Sequence, residues 1–115
     1  MTTIGKQLGQ ARPANTTAVS IYSPTDGTRS EILQILVCNT SGSAATFRIF
    51  HDDNGTTYDQ TTALYYDKNV NADDTLRIWP NKPPGFAMYN TDGNLAVRTS
   101  SGNALTFTVY GNEIT

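Results

Sequence analysis

The sequence predicts an all-β fold: a single antiparallel β-sandwich of about eight strands, jelly-roll or Ig-like, with an extended N-terminal arm. Three observations lead there. Short segments of strictly alternating apolar and polar residues recur, which is the period that turns one face of a strand inward. The cleanest sets Leu105, Phe107 and Val109 against Thr106, Thr108 and Tyr110. Turn formers punctuate these segments at Pro24-Thr25-Asp26-Gly27, Asp52-Asp53-Asn54-Gly55, Asn71 to Asp74, Asn90-Thr91-Asp92-Gly93 and Ser101-Gly102-Asn103, where each residue type has a backbone reason to bend. Finally, only 16% of the 115 residues are charged while Thr, Asn, Ser and Gly abound, a composition suited to strands joined by polar turns and not to long amphipathic helices.

Residues 1–16, MTTIGKQLGQARPANT, precede the predicted sandwich domain of residues 17–115. Beyond Met1 their only sizeable apolar side chains are Ile4 and Leu8, and Lys6 and Arg12 are unaccompanied by any carboxylate before Asp26. Pro13 biases Arg12 toward extension. Two readings stand: a frayed terminus, or an arm that orders on a neighbouring subunit, reaching up to ~50 Å if fully extended. In the second, Ile4 and Leu8 are anchors and Lys6 and Arg12 face acidic surface.

Thr17 to Ser23 is the first strand of the sandwich, with Val19 and Ile21 opposite Ala18, Ser20 and Tyr22. Ile32 to Cys38 is an apolar run broken only by Gln34, followed by the turn formers Asn39 to Ser43 and by the alternating Ala45 to His51. This reads as a β-hairpin whose first strand is central and covered on both faces over much of its length. Asn54-Gly55 is a strong turn signal, and Thr56 to Thr62 reads as a polar loop extending outward. Ala63 to Val70 is strand-like, with Leu64 and Tyr66 on one face and Tyr65 and Asp67 on the other; Thr75 to Trp79 puts Leu76 and Ile78 opposite Arg77. Pro80 to Gly85 holds three of the five prolines and must be irregular, since proline cannot donate to a central ladder. Phe86 to Tyr89, Leu95 to Ser100 and Leu105 to Tyr110 complete the set.

Function is less legible. The net charge of −2 gives no reason to bind nucleic acid. No apolar leader or run of ~18 apolar residues points to a signal peptide or membrane span. His51 beside Asp52 and Asp53, with Asp59 nearby, has the residue types of a base or metal site, but a strand-end surface histidine is the plainer reading. The same aspartates lack the glycine position and terminal glutamate of a calcium loop, so turn chemistry accounts for them. The single Cys38 cannot form an internal disulfide and reads as a buried structural thiol. No catalytic residues, metal site or cofactor loop is expected, and the chain is not expected to be an enzyme. Trp79 and the six tyrosines read chiefly as caps on the ends of the core, with a sugar-stacking platform as the alternative.

Three segments, VCNTSGSAATFRIF, TTALYYDKNVNADDTLRI and NLAVRTSSGNALTFTVYGNEIT, resemble a group of small tailed-phage virion proteins found in phages of aquatic bacteria. The likeness covers about residues 17–115 and rests mostly on strand positions, among them Val37, Cys38, Asn39, Phe47, Tyr65, Asp67, Phe107, Tyr110 and Gly111. It departs at Ser23 to Gly27 and at the Pro80 to Pro84 insert. The resemblance implies a β-sandwich head decoration (cement) protein, made in the host cytoplasm, that sits on the capsid surface as a homo-trimer and ties major capsid subunits together. The contacting elements would be the arm, through Ile4, Lys6, Leu8 and Arg12, and the proline loop, through Pro80, Lys82, Pro83 and Pro84. The competing reading is a tail, baseplate or fibre component that contacts host glycan or another tail protein.

Overall fold

A computed structural model describes residues 1–79 and 86–115, which form nine strands: β1 (Thr3–Ala11), β2 (Val19–Tyr22), β3 (Arg29–Asn39), β4 (Ala45–Asp52), β5 (Ala63–Val70), β6 (Thr75–Ile78), β7 (Phe86–Tyr89), β8 (Asn94–Thr99) and β9 (Leu105–Ile114). One sheet runs β1-β9-β3-β6, with β7 alongside the first half of β3; the other runs β2-β8-β4-β5. Every pairing is antiparallel. The pairs are nested, β1 with β9, β2 with β8, β3 with β6 and β4 with β5, and this is the order of a double-sheet jelly roll. All-β sandwich architecture is therefore as the alternating segments predict, and the strand order selects jelly roll over Ig-like.

The core lies where the inward residues of the two sheets meet. Ile32, Ile35 and Val37 of β3 and Phe107 and Val109 of β9 face Phe47 and Ile49 of β4 and Leu95 and Val97 of β8, all at most 1% exposed. Phe47 and Phe107 meet edge to face across the gap, centroids 6.1 Å apart at 76°. Each side chain so buried contributes roughly 1.5–3 kcal/mol of transfer free energy. Gly111 sits where β9 passes β3 too closely for a side chain: an added Cβ would overlap the Glu31 carbonyl oxygen.

Four expectations are corrected. First, β3 and β4 are not a hairpin. β3 pairs with β9, β6 and β7, β4 pairs with β5 and β8, and residues 40–44 cross between sheets. Asn39 makes the crossing feasible. Its buried amide donates to Ser43 O at 2.9 Å and to Val70 O on the opposite sheet at 3.0 Å, while its Oδ1 accepts from Ser41 N at 2.9 Å. Second, residues 3–11 are not separate from the sandwich but are its ninth strand, in register with β9 from Thr3↔Ile114 to Ala11↔Phe107. Third, bulges shift the alternation. The extra residue at Leu33 puts Ile32 inside and Cys38 on the outer face with Gln34 and Leu36, half-buried rather than buried. In β5, Asp67 adopts a φ of 53°, tolerable for Asp in a bulge, so it turns outward beside Tyr66 instead of sharing Tyr65's face. Fourth, residues 56–62 do not extend outward. They fold back so that Tyr58 covers Phe50, ring centroids 6.2 Å apart, and Phe50 is 2% exposed although it lies on the outer side of β4.

Asn39→Ala removes the tie between the sheets and strands a buried carbonyl, and Asn39→Asp replaces its donor with a repelling oxygen. Both should cost about 1–3 kcal/mol and lower the melting temperature by several degrees in thermal unfolding. An unchanged midpoint would show that the crossing is held by other contacts.

Candidate interaction surfaces

The arm residues singled out in the sequence are engaged by their own chain. Leu8 packs against the core. Lys6 Nζ lies 3.1 Å from Glu113 Oε1, and Arg12 Nε donates to Asn103 O at 3.1 Å. Pro13 is buried and its carbonyl accepts from Asn103 N at 2.8 Å. Only Ile4, 54% exposed, presents an apolar side chain outward. The backbone of β1 is another matter. Thr2 and Thr115 exchange both N–H···O bonds at 2.9 Å, so the alternation of an antiparallel ladder turns the N–H and C=O groups of Thr3, Gly5 and Gln7 away from β9. These form a regular outer edge ahead of the bulge at Leu8. Pro80, Lys82, Pro83 and Pro84 lie outside the described residues.

Two charge clusters flank the sandwich. At one end Glu113 accepts from Tyr22 Oη at 2.6 Å and from Lys6. The tyrosine hydrogen bond, with help from Lys6, holds the Glu113 carboxyl below its ordinary value, while burial and the donation to Glu113 push the Tyr22 hydroxyl up. On the outer face of the second sheet Arg48 and Arg98 are direct cross-strand partners, a like-charge pairing that is unfavourable alone. Asp67 relieves it, accepting from Arg48 Nε and Nη2 at 2.7 and 3.1 Å and lying 3.8 Å from Arg98; the Arg48 bonds lower its pKa. The Arg48 guanidinium stacks 3.8 Å from the Tyr66 ring centroid. The β5 bulge is what brings Tyr66 and Asp67 together on this face.

The outer face of the first sheet carries an aromatic strip that alternation alone could not assemble, because it depends on strand order. Gln7 of β1 pairs with Tyr110 of β9, and Tyr110 pairs with Gln34 of β3. Trp79 stands one residue beyond the pair Ile35↔Ile78, level with Gln34. Tyr110 is 40% and Trp79 58% exposed, and the Arg77 guanidinium lies 4.9 Å from the Trp79 ring. Leu33, displaced outward by its bulge, adds a further exposed apolar side chain at 41%. The sequence offers Trp79 and six tyrosines as residue types for a platform, and strand order is what selects Tyr110 as the tyrosine that accompanies the tryptophan.

The aspartates near His51 serve turns. Asp52 accepts from Asn54 N and Thr57 N at 3.1 and 2.8 Å, and Asp59 accepts from Thr61 N at 2.8 Å. His51 Nε2 is 3.8 Å from Asp53 Oδ1. Among the described residues, no group of three or more His, Cys, Asp or Glu side chains is placed to hold a metal ion.

No family model matches the chain, and no curated protein matches it. Among solved structures it is similar to a chain in the structure of infectious bursal disease virus Gx strain, at 11% identity and a TM-score of 0.43, over 97% of this chain and 30% of that one. It is likewise similar to a chain of the Gt strain, at 11% identity and a TM-score of 0.42, over 97% of this chain and 29% of that one. It thus spans under a third of either.

The two lowered carboxyls set a pH dependence. Folding holds Glu113 below 4.5 and Asp67 below 3.8, so through this range the unfolded chain binds more protons. The stability they lend is complete above about pH 4.5 and is lost as the pH falls through their lowered values. In denaturant unfolding, wild type should lose more stability between pH 7 and pH 3 than Glu113→Gln does. Equal losses would remove Glu113 as a contributor.

Proposed function

We propose that this chain is a phage virion structural protein, a decoration (cement) protein that binds the outside of the capsid lattice as a homo-trimer and stabilises contacts between major capsid subunits. The observation that carries this reading is the open edge of β1. Proteins usually blunt a free edge with proline, charge or a bulge. From Thr3 to Gln7 the only charge is Lys6, and that side chain is drawn to Glu113. Outward backbone groups of this kind bind a partner by adding its strand to the sheet. The rest of the molecule suits a structural role: it is a jelly roll, an architecture that recurs in viral capsid and lectin domains. Fold alone does not choose between those uses; the likeness of the VCN, LYYD and VYGNEIT segments to small virion proteins weighs toward the capsid. A lattice then multiplies each modest edge contact through multivalency.

The side chains of Lys6 and Arg12 are committed within the chain, so the contact through β1 is one of backbone and Ile4 rather than of charge. A tail, baseplate or fibre role is the second reading, and the aromatic strip favours it.

Quantitative mass spectrometry of purified virions separates the two: hundreds of copies are expected for a decoration protein, and a few to a few dozen would place it in the tail. Native mass measurement should give three times the 12.5 kDa chain. Thr3→Pro deletes one outward donor at a position where an edge strand tolerates proline. It should leave the melting temperature nearly unchanged and weaken binding to purified capsids at least tenfold. Undiminished binding would take β1 out of the interface.

A further inference from the structure

We infer that the outer face of the first sheet binds a neutral, extended polysaccharide, with Tyr110 and Trp79 stacking on sugar rings and Gln34 between them supplying hydrogen bonds. Tyr110 and Gln34 are cross-strand partners and Trp79 stands level with Gln34 on the far side. The two aromatics are therefore two strands apart, about 10 Å. Rings in an extended β-1,4-linked pyranose chain are turned over at each linkage, so every second ring offers the same face. A pair of aromatics separated by one amide-bearing strand fits that two-ring repeat. Aromatic side chains supply the flat apolar surface on which the carbon-bound hydrogens of a pyranose lie, and an amide both donates and accepts, as sugar hydroxyls do.

Charge and size both select this ligand. Among the described residues the outward charges of this face are Arg77, which lies against Trp79, and Arg29 and Glu31, which share one side of β3 beyond the strip. Tyr110, Gln34 and Trp79 themselves are uncharged, which suits a neutral ligand. The strip is about 15 Å long across four strands and one side chain wide, far short of the ~800 Å² per partner of a stable protein interface, but sufficient for a chain of three or four sugar rings. Arg77 further fixes the Trp79 ring through its cation–π contact, which reduces the ordering cost of binding. The inference does not depend on the capsid contact proposed for the open edge of β1.

The test uses the full-length chain and cellohexaose, chitohexaose and mannohexaose as probes, with binding followed by NMR titration and calorimetry. At least one probe should bind. Trp79→Ala and Tyr110→Ala should each weaken it tenfold or more, Trp79→Phe should do so by less, and Tyr66→Ala on the opposite sheet should have no effect. The substituted side chains are exposed, so thermal unfolding should show all four variants folded. Absence of binding to every probe at millimolar concentration would overturn the proposal. So would binding that survives Trp79→Ala and Tyr110→Ala, or a change of oligomeric state in these variants without a change in glycan binding. Failure here leaves copy number and capsid binding untouched, so it is distinguishable from failure of the capsid reading.

Discussion

The edge-to-face contact between Phe47 and Phe107 is the point on which the architecture turns. It joins β4 to β9, strands of different sheets that are far apart in sequence, and it places the middle of each sheet opposite the other. Around it the aliphatic residues of β3 and β8 close the layer. Once β9 and β4 are fixed face to face, the remaining strands can only add outward on either side, and nested pairing follows from doing so without crossing connections.

That central contact also explains which parts of the fold were legible. Alternation revealed most strands, because a side-chain period of two is set locally by the pleat. It could not reveal that β3 and β4 part company, because the turn-forming run Asn39 to Ser43 looks the same whether it closes a hairpin or bridges two sheets. What distinguishes them is the reach of the Asn39 amide to Val70, a contact across 31 positions. The bulges at Leu33 and Asp67 were invisible for a related reason, since one extra residue reverses the facing of everything beyond it. β1 was missed because an edge strand with glycines at positions 5 and 9 and few apolar residues carries almost no periodic signal. Gly9 is required there because a side chain would overlap the Ile21 carbonyl oxygen of β2, so the very residue that lets the two sheets approach weakens the strand's signature.

The candidate surfaces follow the same division. Trp79 and the tyrosines were recognisable as residue types, but only strand order brings Tyr110, Gln34 and Trp79 into one row. The cations of the N-terminal segment were recognisable as unpaired in the local sequence, and they find their partners at positions 103 and 113, at the other end of the chain. Charge balance read over a short window is thus misleading in a jelly roll, where the first strand neighbours the last. The outward facing of Asp67 has a comparable logic: without it Arg48 and Arg98 would face each other uncompensated, so a locally unfavourable backbone conformation is offset by the ion pair it permits.

Because the terminal strands lie side by side, both ends of the described fold leave from a single corner, with Thr2 and Thr115 bonded to each other. Tension applied between the ends would load the β1–β9 ladder one rung at a time, as a zipper is opened, rather than all rungs together in shear. The same body pressed or pulled through its broad faces would instead have to displace its whole interior at once. Its mechanical strength is therefore directional, low along the line joining its ends and high across the sheets.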